Sequence, residues 1–344
     1  MAALLTAPLA GLLLGAIPTA AQAAPDPALT IDSVTLNKTS VAVSGLNTVP
    51  VTVTVKGVFD TGSPDDAKVP VNVLLERTGG SGQARTLFST NLVRNQAAGT
   101  WSGPLNVPST ANGTFKVTGV MTGPFYPGSG SMADPTPYAG QTLTVTGTHM
   151  PKFAASVTPK VVPFGKPYSI KWAVSDSETG KPYGSRIRVE LGVDSLCVEY
   201  FGGGYTHVTD TNGVVTKAYT ADDANGINCL LIPGVPTTNA WLSFGIARPA
   251  IVSAAPSKTS APVGSIVPVN GSVYGAPYSC PVQLQRLYGA TQWRTVSVGS
   301  VRASGRFTLT AQPAYKGLIP YRAYMPTCGR YVAGVSKVFS IRGL

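Results

Sequence analysis

The sequence is poor in the side chains on which most enzymes depend. Its 344 residues include two histidines, four cysteines and fifteen acidic residues, and charged residues make up only 12% of the chain, about half the usual share. Nucleophilic catalysis needs an activated side chain, and metal sites need clustered ligands. The chain contains no G-x-S-x-G, H-E-x-x-H, G-x-G-x-x-G or Walker motif. We therefore expect no catalytic residue, no metal and no cofactor, and predict that the protein is not an enzyme.

Long helical stretches are also missing after the N-terminal leader. Apolar residues instead recur at every second position, as in Val49–Val55 and Arg186–Leu191. Clusters of Gly, Pro, Asn and Asp separate these segments, and such clusters are typical of turns. Because alternation with period two places one face of a strand against a core, the pattern predicts an all-β protein.

The first 23 residues carry no charge. Their apolar run from Ala3 to Ala16 is shorter than the ~20 residues of a transmembrane helix, and Ala21-Gln22-Ala23 matches an A-x-A cleavage site. The usual basic n-region is missing. We predict a signal peptide over residues 1–23, a secreted protein that is extracellular or associated with the cell wall, and no transmembrane segment in the mature chain.

No cysteine lies in the first half of the chain. Four cysteines allow three pairings. If a domain boundary lies near residue 250, only Cys197–Cys229 and Cys280–Cys328 keep each bridge within one domain. A zinc site is the alternative, but the C-x₂-C spacing of such sites is absent. The sequence therefore predicts these two disulfides, which fit an exported protein.

Weak repeats at intervals of about 100 residues, the size of one immunoglobulin-type sandwich, divide the mature chain. A glycine turn followed by a strand pattern occurs near residue 161 and again near residue 263. We predict three domains over residues 24–149, 150–250 and 251–344. The first contains a long Gly- and Pro-rich loop over residues 121–141, and a loop of that length is commonly functional.

Two parts of the chain resemble a known family. Thr100–Pro108, followed by Asn112–Val117, resembles the Trp…Pro…Gly-aromatic signature of tandem Ig-like repeats in secreted actinobacterial proteins. Val282–Arg286, then Gln292–Val296, then Gly305–Phe307 is similar to another such repeat. The resemblance implies three consecutive immunoglobulin-like antiparallel β-sandwiches after the signal peptide, and it brings no catalytic residue with it.

Positive charge is concentrated in the last predicted domain. Residues 24–148 hold seven bases and seven acids, residues 149–250 nine and eight, and residues 251–344 ten bases and no acid. Such a domain attracts polyanions, and arginine matches phosphate and sulfate bidentately. We predict that it binds an anionic cell-wall polymer or another polyanion, with no sequence-specific recognition of nucleic acid; the alternative is charge that serves solubility only. The predicted contact residues are Arg286, Arg294, Arg306, Arg322, Arg330 and Arg342.

Strand alternation further predicts that Arg322 and Arg342 point outward. In an immunoglobulin arrangement Arg286, Arg322 and Arg342 fall on neighbouring strands, so the pattern indicates that they pool their charge on one face. Tyrosines lie among these arginines and are candidates for stacking on them.

Two aromatic loops form a second candidate site, for a glycan or protein ligand. Their flanking glycines allow a ligand to approach closely, although loop aromatics also pack back on their own domain. The alternative function is a soluble inhibitor or binding module that acts through residues 121–141 or 200–205. The candidate residues are Phe125, Tyr126, Tyr138, Tyr200, Phe201 and Tyr205.

The remaining titratable residues suggest little. His149 lies at a predicted linker and His207 follows a Gly-rich turn, so we assign neither a function. Oxygen-rich loops can hold calcium, and two such loops occur, although turn formation also explains their composition. These loops contain Asp60, Asp65 and Asp66, and Asp222, Asp223 and Asn225.

Overall fold

The computed structural model describes residues 25–124, 134–193 and 205–344. The predicted signal peptide, residues 125–133 of the long loop and residues 194–204 lie outside the described residues. The described chain consists of 28 strands and three short 3-10 helices, and nearly all strand pairs are antiparallel. The predicted all-β fold is therefore confirmed.

The chain forms two compact units, which divide between Thr146 and Gly147, and Ser44–Asn47 belongs to the second unit. The sheets of the first unit have the orders β1-β3-β7-β6 and β2-β10-β8-β4-β5, with β9 paired to β8. Their elements are β1 (Leu29–Leu36), β2 (Ser40–Ser44), β3 (Thr48–Phe59), η1 (Pro64–Lys68), β4 (Val71–Gly79), β5 (Thr86–Phe88), β6 (Val93–Asn95), β7 (Thr100–Pro108), η2 (Ser109–Ala111), β8 (Gly113–Thr122), β9 (Thr136–Pro137) and β10 (Thr142–Thr148).

This strand order is that of an immunoglobulin sandwich. Strands β1, β3, β7 and β6 take the places of A, B, E and D, while β4, β8 and β10 take those of C, F and G. The core follows the predicted alternation, because Val51, Val53 and Val55 are fully buried between exposed or half-buried neighbours. Trp101 is also fully buried, and its Nε1 donates a hydrogen bond to the carbonyl of Val69 at 3.0 Å.

The second unit repeats the A-B-E and C-F-G parts of this order twice around two hydrophobic cores, which we call the middle core and the C-terminal core. The sheets around the middle core are β11-β12-β15 and β14-β13-β16-β17. Their elements are β11 (Pro151–Thr158), β12 (Tyr168–Asp176), β13 (Arg188–Val193), β14 (Thr206–Val208), β15 (Val214–Tyr219), η3 (Asp223–Asn225), β16 (Ile227–Ile232) and β17 (Ala240–Gly245).

The sheets around the C-terminal core are β19-β21-β24 and β20-β28-β25-β22-β23, with β27 paired to β25, and β18 pairs with β26. The strands are β18 (Arg248–Pro249), β19 (Val252–Pro256), β20 (Ser260–Ala261), β21 (Val267–Val273), β22 (Pro281–Tyr288), β23 (Gln292–Ser300), β24 (Arg306–Ala311), β25 (Gly317–Met325), β26 (Tyr331–Val332), β27 (Gly334–Val335) and β28 (Phe339–Gly343).

The immunoglobulin-like fold implied by the resemblance is thus confirmed, while the three domain boundaries, the tandem organisation and the actinobacterial origin stay predictions.

Arg248 connects the two halves of the second unit. Its side chain is 1% exposed, and its Nη1 donates to the carbonyls of Val162 at 3.3 Å and Pro163 at 3.1 Å. The guanidinium lies 4.8 Å from the ring centre of Phe164, which packs against the C-terminal core. Burial lowers the pKa of Arg248, and the nearby positive charge of Arg330 lowers it further. Carbonyl dipoles and a ring thus offset part of the cost of burying this cation, while its Nε is buried without a hydrogen-bond partner among the described residues.

The predicted bridge between Cys280 and Cys328 is confirmed, with a Cα–Cα distance of 5.8 Å. Cys229 is fully buried on β16, but Cys197 lies outside the described residues, so the second predicted bridge stays a prediction. Among the described residues, no helix has the length and apolar character needed to cross a membrane.

Replacing the connecting arginine should destabilise the second unit. Arg248→Met removes the cation and its hydrogen bonds to the carbonyls of Val162 and Pro163, which should lower the free energy of unfolding by about 2–3 kcal/mol. Urea titration of the full chain, followed by circular dichroism and hydrogen exchange, measures this. Arg306→Met, at an exposed position, should change it by less than about 0.5 kcal/mol. Equal stability of the two variants would contradict the stabilising role of Arg248 in the second unit.

The double variant Cys280→Ala/Cys328→Ala should also unfold more easily. The bridge closes a loop across 48 positions, and the chain-entropy model assigns such a loop about 4 kcal/mol. The urea midpoint under oxidising conditions gives the difference. Thr327→Ala, an exposed neighbour, serves as the control. A double variant as stable as the parent would show that the bridge does not constrain the unfolded chain.

Candidate polyanion-binding surface

All ten bases of residues 251–344 lie in the described part of the chain, and none forms a salt bridge with a described acid. Their charge is therefore not neutralised within this segment. The sheet order β28-β25-β22-β23 places Arg342, Arg322, Arg286 and Arg294 on four consecutive strands. The predicted neighbourhood of Arg286, Arg322 and Arg342 is confirmed.

These arginines do not all share one face, so that part of the prediction is wrong. Arg286 pairs with Tyr321, which is fully buried on the inner face. The reason is that Arg286 continues the inward series of Val282 and Leu284 with period two. Arg322 is the next residue after Tyr321 and therefore lies on the outer face.

The outer face carries Arg322 and Arg342. The guanidinium of Arg322 stacks 4.3 Å from the ring centre of Trp293, and its Nε donates to Oε1 of Gln285 at 2.8 Å. Arg342 is exposed beside Leu318, its partner in the strand register. Four residues along a strand span roughly 13 Å, so the two guanidinium groups can contact separate charges of one extended polymer.

The inner face ends in a second arginine cluster. Arg286 and Arg294 are direct cross-strand partners, and their guanidinium carbons lie 4.3 and 4.8 Å from the ring centre of Tyr288. Arg286 also donates a hydrogen bond to the Tyr288 hydroxyl, and Arg294 donates to Oε1 of Gln292 at 3.0 Å. The arrangement holds two positive charges around one ring.

The other two predicted contact residues lie apart from these clusters. Arg306 is exposed on β24, in the opposite sheet. Arg330 donates to the carbonyls of Ala224 at 3.4 Å and Asn225 at 3.2 Å and lies 5.8 Å from the ring centre of Tyr331. Arg330 therefore contributes to the connection with the middle core.

The aromatic loops are only partly described. Tyr138 is half-buried and packs against the core of the first unit, and Tyr205 is 41% exposed with the Lys217 ammonium 6.0 Å from its ring centre. The predicted ligand role of both stays a prediction. Four further loop residues lie outside the described residues, namely Phe125, Tyr126, Tyr200 and Phe201.

The acidic loops make turns. Asp66 accepts hydrogen bonds from the Thr61 hydroxyl and amide, both at 2.6 Å, and from the Ser63 amide at 3.3 Å, and the bonds from Thr61 lower the pKa of Asp66. Asp223 likewise accepts from the amide and hydroxyl of Thr220. Within the described ranges, no group of three or more His, Cys, Asp or Glu residues is arranged to hold a metal ion.

His149 forms contacts with two carboxylates that the sequence did not indicate. This residue has a positive φ of 50°, its Nδ1 lies 2.8 Å from Oδ2 of Asp176, and its Nε2 lies 3.5 Å from Oε2 of Glu178. The hydrogen bond to Asp176 raises the pKa of His149, and both carboxylates raise it further. Burial disfavours the charged form of Asp176, but hydrogen bonds from Glu178, His149 and Thr179 outweigh it and lower its pKa to about 2.

Comparison with known proteins gives no family. No protein-family model matches the chain, and no curated protein is significantly similar to it. Among solved structures, the chain is similar to the Escherichia coli adhesin FdeC, with 15% identity and a TM-score of 0.28 over 93% of this chain and 99% of that one. It is also similar to dimeric latent PorU from Porphyromonas gingivalis, with 10% identity and a TM-score of 0.25 over 91% of this chain and 34% of that one.

The chain thus spans about a third of the PorU chain. Such low TM-scores do not support a transfer of function from either protein. The fold assignment rests instead on the repeated strand order and the buried faces described above.

The His149 interactions should make the second unit less stable as the pH rises. A pKa raised above 6.5 stabilises the folded state fully below pH 6.5, and that contribution is lost as the pH passes the folded pKa. Thermal unfolding between pH 6 and pH 9 measures it. His149→Asn, which tolerates the positive φ, should flatten this part of the profile.

His207→Gln provides the control. Burial lowers the pKa of His207, and the charge of Lys217 lowers it further, so His207 contributes a pH dependence of the opposite sign. The fall above pH 6.5 should therefore persist in this variant. A profile that is unchanged in His149→Asn would rule out His149 as its source.

Proposed function

We propose that this chain is a secreted, non-enzymatic binding and scaffold protein that is held at the cell surface by residues 251–344, which contact an anionic polymer. The signal-peptide pattern of residues 1–23 and the Cys280–Cys328 bridge support export, because disulfides persist in oxidising compartments. The sparse supply of histidine and acidic residues supports a role in binding.

One observation carries the proposal. Residues 251–344 hold ten bases and no acid, and none of these bases pairs with a described acid. Because no described acid pairs with these bases, the positive electrostatic field of this segment is not cancelled. Such a field raises the local concentration of polyanions and speeds their association. Seven of the ten bases are arginine, whose planar group binds phosphate or carboxylate in two parallel hydrogen bonds.

The outer face adds preorganisation to this charge. Trp293 supports one face of the Arg322 guanidinium, and Gln285 holds its Nε. A stacked and hydrogen-bonded guanidinium loses little conformational entropy when an anion binds. Arg342, on the adjacent strand of the same face, extends the contact along the sheet.

The loop-based alternative, a soluble inhibitor or glycan-binding module, stays a prediction. Most of its candidate residues lie outside the described residues. Tyr205 supports it only by its exposure, and deletion of residues 200–205 would test it by loss of partner capture.

The charge-based proposal predicts weaker retention of the Arg322→Gln/Arg342→Gln variant on purified anionic cell-wall polymer. Loss of two contacts should weaken retention about tenfold, equivalent to ~1.4 kcal/mol. Co-sedimentation of the full chain with the polymer, over a series of salt concentrations, measures it. Retention of the parent chain should decline as salt rises, because ions screen charges beyond about 10 Å at 0.1 M.

The matched control is Lys152→Gln/Lys171→Gln, which removes the same charge at exposed positions around the middle core. It should bind almost as well as the parent chain. Equal weakening of both variants, retention independent of salt, or no retention at all would each count against the proposal.

A further inference from the structure

Arg286 and Arg294 place two like charges opposite each other on neighbouring strands. The two side chains are directly opposed across β22 and β23, and both guanidinium groups lie within 5 Å of the centre of the Tyr288 ring. Like charges directly opposite each other destabilise a sheet. The sequence offers no acid between residues 251 and 344 to relieve this repulsion.

The neighbouring groups position the pair without neutralising it. Tyr288 offers a ring face and a hydroxyl, Gln292 accepts one bond from Arg294, and Tyr321 lies opposite Arg286 in the register. The amide of Gln292 carries no charge, and burial raises the pKa of Tyr321 above its ordinary value. Each guanidinium has five N–H groups, so donors remain for a ligand after these contacts.

We infer that Arg286, Arg294 and Tyr288 form a binding site for a phosphate group. This inference deepens the proposed function and rests on it where the phosphate belongs to a polymer. An anion that contacts both guanidinium groups replaces a repulsion with two attractions, and charge-assisted hydrogen bonds to phosphate are about twice as strong as neutral ones.

The geometry favours phosphate over a carboxylate. The two guanidinium groups come from different strands. A tetrahedral phosphate presents oxygens in several directions and can accept from both groups. A planar carboxylate has only two oxygens, and bidentate contact with one guanidinium engages both of them. The same chemistry is found in inorganic phosphate and in a phosphate-containing polymer.

The test is an NMR titration of the full chain with inorganic phosphate at constant ionic strength, observed at the arginine Nε–Hε signals. Phosphate should shift the signals of Arg286 and Arg294 in a saturable way, and acetate should shift them far less. In Arg294→Gln the phosphate affinity should fall at least tenfold. In the matched control Arg186→Gln, which removes the same charge from an exposed position outside residues 251–344, it should not change.

A second measurement tests the repulsion itself. Without phosphate, Arg294→Gln should unfold at the same temperature as the parent chain or higher, and phosphate should raise the unfolding temperature of the parent but not of the variant. Arg286→Lys keeps the charge but loses the planar group, and should also bind phosphate weakly. Non-saturable shifts, equal shifts with acetate, or equal phosphate affinity in Arg294→Gln and Arg186→Gln would overturn the inference.

Competition distinguishes the source of the phosphate and separates this site from the proposed function. A phosphodiester polymer that displaces inorganic phosphate from Arg286 and Arg294 identifies polymer phosphate as the ligand. Displacement by no polymer identifies free phosphate. If inorganic phosphate binds at the pair while the chain is not retained on any anionic polymer, the proposed function fails and the phosphate site stands.

Discussion

Burial of the inner faces of paired sheets is the constraint from which the rest of this structure follows. Strands such as β3 place Val51, Val53 and Val55 in the core and leave the alternate positions to solvent. A side chain that is free to bind a ligand must therefore lie on an outer face, at the end of a sheet or in a loop. Both arginine clusters obey this rule, since one lies on the outer face and the other lies beside the turn between β22 and β23.

A second theme is how the chain accommodates arginine without acids. Arg322 stacks on Trp293, the Arg286–Arg294 pair surrounds Tyr288, and Arg248 is held by carbonyls and Phe164. Rings and carbonyl dipoles orient a guanidinium, but they do not cancel its charge. Carboxylate partners would have held the same side chains and abolished the external field. The lack of acidic residues and the packing of arginines against rings therefore both preserve the positive electrostatic field.

The alternating patterns were sufficient to predict the strands, the antiparallel sandwiches and the outward position of Arg322, because period two is a local property of the chain. The Cys280–Cys328 pairing followed from domain size. The face of Arg286 was misjudged, although Val282 and Leu284 already indicate it. Arg248 contacts Val162 and Pro163, and His149 contacts Asp176. These partners lie far away in the sequence, so no local pattern predicts the contacts.

The pairing of β18 with β26 has a mechanical consequence. These short strands run parallel, Arg248 donates its amide to the carbonyl of Arg330 at 2.8 Å, and the two side chains hold carbonyls around the middle core. If one end of this unit is tethered to a surface and the other is pulled, the force acts across the β18–β26 pairing and the hydrogen bonds of Arg248 and Arg330. These bonds oppose free rotation of the two halves about the connecting backbone, so the connection is stiffer than a linker without them.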